Sequence, residues 1–103
     1  QPAMSGYAMA KEAVRTLSRT AAVEWGKYGI RVNSICPLAE SPGATGFDDS
    51  TSAGNDVTAA IPLGHWGDAA SDIGRGVVYL AGPDGRYITG TTLMIDGGFN
   101  YLR

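Results

Sequence analysis

A tyrosine and a lysine stand four positions apart in Tyr7-Ala8-Met9-Ala10-Lys11. An α-helix advances about 100° and 1.5 Å per residue, so this spacing sets both side chains on one face, about a turn apart. A phenol ordinarily keeps its proton up to a pH of about 10. An ammonium about 4 Å away, at an effective dielectric near 20, favours the phenolate by at most roughly 4 kcal/mol. Each pKa unit corresponds to about 1.4 kcal/mol, so half of that effect already moves the phenol well toward neutrality. Proton transfer is most efficient when the donor's pKa lies near the working pH. The pair reads as an acid/base device. The same residues also suit a ring packed on a surface beside a solvated lysine, so the rest of the chain has to decide.

The element that must carry the pair is a helix from about Gly6 to Lys27. Ser5 offers a cap, alanines at 8, 10, 13, 21 and 22 supply propensity, and Val14, Leu17 and Trp25 add apolar bulk. Apolar and small residues cover more than one stripe, which points to packing against a sheet on one side and a partner chain on another. Glu12, Arg15 and Arg19 mark the wetter side. Gly26 and Gly29 end the helix, with Gly29 the better left-handed cap. Ile30-Arg31-Val32-Asn33-Ser34-Ile35-Cys36 then reads as a strand stopped by Pro37. Within it, Asn33 reads as a structural amide and Cys36 as a buried, inert thiol.

From Pro37 to about Leu63 the chain is rich in Gly, Ser, Thr, Asp and Pro, the composition of a lid or binding loop, with a short helix around Asn55–Ile61. Asp48, Asp49 and Asp56 read as a solvated face and His65 as exposed. Asp68 caps a helix to about Ala81, whose Ala70, Ile73, Val77, Val78 and Ala81 keep the helical rhythm. Pro83-Asp84-Gly85 is a turn, Thr91–Ile95 a strand, and Asp96-Gly97-Gly98 its end. Helix, strand, loop, helix, strand is an α/β order.

The 103 residues suffice for one small domain. A net charge of −2 without a basic run argues against nucleic acid or an acidic membrane surface as partner. No apolar stretch approaches the roughly 18 residues of a membrane span. One His and one Cys do not make a structural zinc site, and no metal site is expected. A single thiol fits a reducing cytoplasm. The chain opens directly at a helix, without an initiator Met, as a piece of something longer would.

Taken together, these signals resemble the C-terminal part of a short-chain dehydrogenase/reductase. Tyr7-x-x-x-Lys11 is similar to the family's YxxxK motif, and Ala22-Val23-Glu24-Trp25-Gly26 leading into Gly29–Pro37 is similar to its helix-to-strand passage. Pro62-Leu63-Gly64, Asp72-Ile73, Tyr87-Ile88-Thr89-Gly90 and Asp96-Gly97-Gly98 resemble its closing segment, in order and at similar spacing. The resemblance implies the C-terminal part of a doubly wound, Rossmann-type parallel sheet binding NAD or NADP. It implies Tyr7 as acid/base on an alcohol or ketone, and Lys11 as a ribose binder that lowers the Tyr7 pKa. Pro37, Leu38 and Glu40 would touch the nicotinamide end of the cofactor, and residues 41–61 would form the substrate lid. The Gly6–Lys27 helix would pair subunits into a homo-oligomer. Residues 1–103 would then be the catalytic and substrate-loop portion of a single domain whose nucleotide-binding N-terminal half is absent, and inactive alone.

The chain departs from the pattern in places. Leu38 replaces a glycine, Pro42 sits where a threonine near the cofactor is expected (with Ser41 one position earlier), and His65 replaces an arginine. The family's glycine-rich turn, active-site asparagine and catalytic serine precede the tyrosine and are not in this chain. Gly74-Arg75-Gly76 begins a GxGxxG run, but Tyr79 ends it and the run lies inside a helix, so it is not a phosphate turn. The competing expectation is a truncated or degenerate, non-catalytic relative that serves as a binding or subunit-pairing module.

Overall fold

The structure is a computed structural model, and it describes residues 4–40 and 57–100. The alanine-rich stretch forms helix α1 over Ser5–Trp25. Ser5 is its first helical residue and not its cap; Met4 takes that position without a side-chain hydrogen bond. The far end tightens into a 3-10 turn over Gly26–Tyr28, and Gly29 follows with φ 74°. Gly29 N–H donates to Gly26 O at 2.9 Å and Ile30 N–H to Trp25 O at 3.4 Å. These paired bonds are a Schellman ending, which satisfies two orphan carbonyls and requires a residue tolerant of positive φ.

Strand β1 occupies Ser34–Pro37, later than the sequence suggests. Residues 31–33 oppose the irregular stretch 88–91, where one backbone bond, Gly90 N–H to Val32 O at 2.8 Å, is joined by side-chain bonds. Val32 N–H donates to Thr89 Oγ1 at 3.0 Å. Asn33 donates through Nδ2 to Ile88 O at 2.9 Å and accepts from Thr91 N–H at 3.1 Å. It is the structural amide expected of it. Strand β2, Thr92–Ile95, pairs in parallel with β1, register Ser34↔Thr92 to Pro37↔Ile95. Parallel neighbours need a long crossover, and residues 38–91 provide it. An isolated parallel bridge, Ala39↔Gly67, extends β1's path and ties it to the entry of the next helix.

That helix opens on Asp68, whose Oδ1 accepts from Ser71 N–H at 2.7 Å and from Ser71 Oγ at 2.8 Å. Asp72 Oδ2 in turn accepts from Asp68 N–H at 2.7 Å. The Ser71 backbone N–H, and then its hydroxyl, hold the Asp68 carboxyl below the usual aspartate range. The expected helix to Ala81 is present, but in two parts: a π-helical turn over Ala69–Gly74, then helix α2 over Arg75–Ala81. Residues 57–60 form a helical turn inside the span expected to be helical.

Arg31 ends α2 from outside. Its Nη1 donates to Leu80 O at 2.7 Å and to Ile88 O at 3.2 Å, and its Nη2 to Ala81 O at 3.3 Å. A cation on the last carbonyls also complements the helix dipole. At Gly76 α2 lies close on β2: a Cβ there would displace the end of the Ile95 side chain. The core is Ala21, Ala22, Ile61, Ile73 and Leu80, and no side chain among the described residues is fully buried.

Candidate functional site

The face of α1 that turns toward β1 carries Tyr7, Lys11, Val14 and Arg15, which share a groove of about 370 Å³ with Ser34–Pro37 and Asn100. Lys11 Nζ lies over the Tyr7 ring, 5.4 Å from its centroid, within the range of a cation–π contact. Tyr7 is 59% exposed, so its hydroxyl is open to a small molecule in the groove. The two groups thus share one helix face and one groove. Their arrangement offers a phenolic O–H able to give or take a proton, beside an ammonium with three donors.

The other candidates separate. Pro37 closes the groove at the end of β1. Leu38 lines a different cavity, of about 190 Å³, with Leu63, His65, Asp72 and Ile73. Its N–H donates to Ile95 O at 3.0 Å, and its carbonyl accepts from Gly67 N–H at 3.3 Å. Glu40 N–H donates to Gly67 O at 3.0 Å. The backbone donors of Leu38 and Glu40 are therefore spent inside the chain. Ser41, Pro42 and the aspartates at 48, 49 and 56 lie outside the described residues, as does most of the expected lid.

Several side chains take places different from those expected. Arg15 is half-buried in the groove and not on the wet side, with Nη1 3.3 Å from Glu12 Oε1. Cys36 is half-buried and also lines the groove. His65 is exposed, as expected, and its Nδ1 lies 2.9 Å from Trp66 O. A carbonyl only accepts, so Nδ1 carries the proton.

Asn100 is the groove residue that sequence reasoning passes over. The turn that brings it there is built from three features. Gly97 and Gly98 have φ 61° and 90°. Asp96, only 7% exposed, accepts from Gly98 N–H through Oδ1 and from Asn100 N–H through Oδ2, both at 3.0 Å. Gly97 O accepts from Leu63 N–H at 3.1 Å, and a Cβ on Gly97 would sit 2.8 Å from Ile61 Cγ2. A polar residue two positions past a double-glycine strand end was the available signal.

Known proteins share this chain's sequence pattern and fold. A family profile described as enoyl-(acyl carrier protein) reductase matches residues 1–100. A 12α-hydroxysteroid dehydrogenase from a Clostridium species is 46% identical over 93 residues, covering 89% of this chain and 36% of that protein. The solved structure of a 4-hydroxyisoleucine dehydrogenase mutant complexed with NADH and succinate superposes with a TM-score of 0.85 at 31% identity. That match covers 92% of this chain and 39% of the other. A short-chain type dehydrogenase/reductase from Mycobacterium ulcerans matches with a TM-score of 0.83 at 30% identity, covering 90% of this chain and 34% of that one. The chain therefore spans little more than a third of the length of these relatives, and its parallel α/β arrangement is the C-terminal part of their Rossmann-type fold. By profile, by sequence and by fold, this chain belongs to the short-chain dehydrogenase/reductase family.

Proposed function

We propose that the whole protein is an NAD(P)-dependent oxidoreductase interconverting a small-molecule alcohol and its ketone. The observation that carries this reading is the shared groove of Tyr7 and Lys11 at the end of β1, in a chain of this family. Tyr7 holds the proton that the substrate oxygen gains or loses. Lys11 donates to hydroxyls of the cofactor ribose, and its charge favours the negative charge developing on the phenol oxygen. A bound nicotinamide cofactor supplies or accepts the hydride. The groove's donors, the Tyr7 hydroxyl and the Lys11 ammonium, match hydroxyl acceptors of such a cofactor. A cytoplasmic setting accords with the single thiol, Cys36. The piece of 103 residues, whose described residues bury five small or medium apolar side chains, is inactive alone on this reading.

The test is NAD(P)H oxidation by the whole protein with a panel of ketones. Tyr7→Phe should lower turnover about 10²- to 10⁴-fold, the usual contribution of a positioned acid/base, while leaving cofactor binding in place. Turnover equal to wild type in that variant would overturn the assignment. The apolar residues on the other side of α1, Met9, Leu17 and Val23, are 73%, 68% and 83% exposed and support subunit pairing through this helix. They also favour the competing reading, a non-catalytic pairing module. That reading wins if the whole protein binds neither NADH nor NADPH at millimolar concentration.

A further inference from the structure

Trp66 is half-buried, and its indole N–H donates to Thr58 Oγ1 at 3.0 Å, closing residues 58–66 into a loop. An indole donates through that one atom only, so the bond fixes how the ring lies. The backbone inside the loop is pinned as well. Ile61 N–H donates to Thr58 O at 3.2 Å and Gly64 N–H to Ile61 O at 2.8 Å, with φ 83° at Gly64. The residue after Trp66, Gly67, accepts from Glu40 N–H at 3.0 Å and donates to Leu38 O at 3.3 Å. The dipeptide Trp66-Gly67 therefore holds the chain just past β1 and again where it returns at Thr58. This loop rests on the turn after β2. Ile61, 3% exposed, meets Gly97, and Leu63 N–H donates to Gly97 O at 3.1 Å. Pro62 lies on Gly98, where a Cβ would come within 3.1 Å of Pro62 Cγ. Asp96 bonds the same turn from within and so delivers Asn100 to the Tyr7 groove. A line of contacts thus runs from the Trp66 indole through Thr58 and Ile61 to the double-glycine turn and the groove wall. Trp66 itself does not line the groove.

Resting on the oxidoreductase reading above, we propose that Trp66 is a positioning residue: through its bond to Thr58 it braces the Gly97–Gly98 turn and so fixes the room left for the ketone beside the Tyr7 hydroxyl. It touches no reacting atom, so its loss weakens substrate and transition state alike. That pattern raises KM and leaves kcat in place. A residue serving stability alone would lower the melting temperature without moving KM.

Steady-state kinetics of the whole protein tests this, at saturating NADH or NADPH and with a ketone that it reduces. Trp66→Phe keeps an aromatic ring and removes the N–H. It should raise KM for the ketone about three- to tenfold, the range for one hydrogen bond, at an unchanged kcat. Thr58→Val should raise KM as well, whereas Thr58→Ser, which keeps the hydroxyl, should match wild type. In the Thr58→Val background Trp66→Phe should change nothing further, because its partner is already gone. Should Trp66→Phe not fold, Thr58→Val against Thr58→Ser carries the same comparison. The proposal is overturned if Trp66→Phe or Thr58→Val keeps the wild-type KM, if either lowers kcat at constant KM, or if the two effects multiply in the double variant. If the wild type reduced no ketone, the parent reading would fall as well. A wild-type KM in folded Trp66→Phe, beside a Tyr7→Phe variant that has lost turnover, removes this inference alone.

Discussion

Tyr7 and Lys11 depend on helix geometry alone, since residues four apart on α1 meet wherever the helix is placed. Their shared face was therefore legible from spacing. Asn100 was not, because its position follows from contacts distant in sequence: Gly97 against Ile61, and Leu63 bonded to Gly97 O. Glycines divide in the same way. Gly29 announced its left-handed role by ending a helix, whereas Gly85 gives no such signal. A Cβ on buried Gly85 would lie 2.6 Å from Tyr79 O and also overlap Leu80 O, backbone atoms that cannot swing aside. Gly85→Ala should therefore destabilise the whole protein by about 1–3 kcal/mol in urea unfolding. A change within a few tenths of a kcal/mol would show that the turn after α2 yields easily.

Among the elements, α1 and both strands were readable from propensity and period, while their edges were set by partners. Ahead of β1, the Val32 N–H goes to the Thr89 hydroxyl and the Asn33 side chain bonds Ile88 and Thr91, so regular pairing begins at Ser34. The wide π turn at Ala69–Gly74 has no sequence signature; Asp68 caps the Ser71 N–H and Asp72 reaches back to the Asp68 N–H. Since the folded Asp68 carboxyl titrates below its unfolded value, its stabilisation is present above about pH 3.9 and fades as pH falls through the folded value. Asp68→Ala should thus melt below wild type at pH 7, with the gap narrowing under about pH 3.9. A gap that stays constant down to the lowest pH would exclude the charge as its source.

At the scale of the molecule, the described residues leave much apolar surface open. On α1 it forms a second stripe, with Met9, Leu17 and Val23 on the side away from Tyr7. Leu17→Asp should shift the whole protein toward a smaller assembly in sedimentation velocity while preserving its secondary structure. An unchanged sedimentation coefficient would remove α1 from the interface. Within the chain, the opposite problem is solved by Arg31. Its fork reaches the last carbonyls of α2 and the loop before β2 from a position just ahead of β1. Helix termination and strand docking are thereby linked in one cooperative unit: the guanidinium has no set of acceptors to close on until residues 80, 81 and 88 have arrived together. The strand that lines the Tyr7 groove is thus entered through a residue held by a helix some fifty residues downstream.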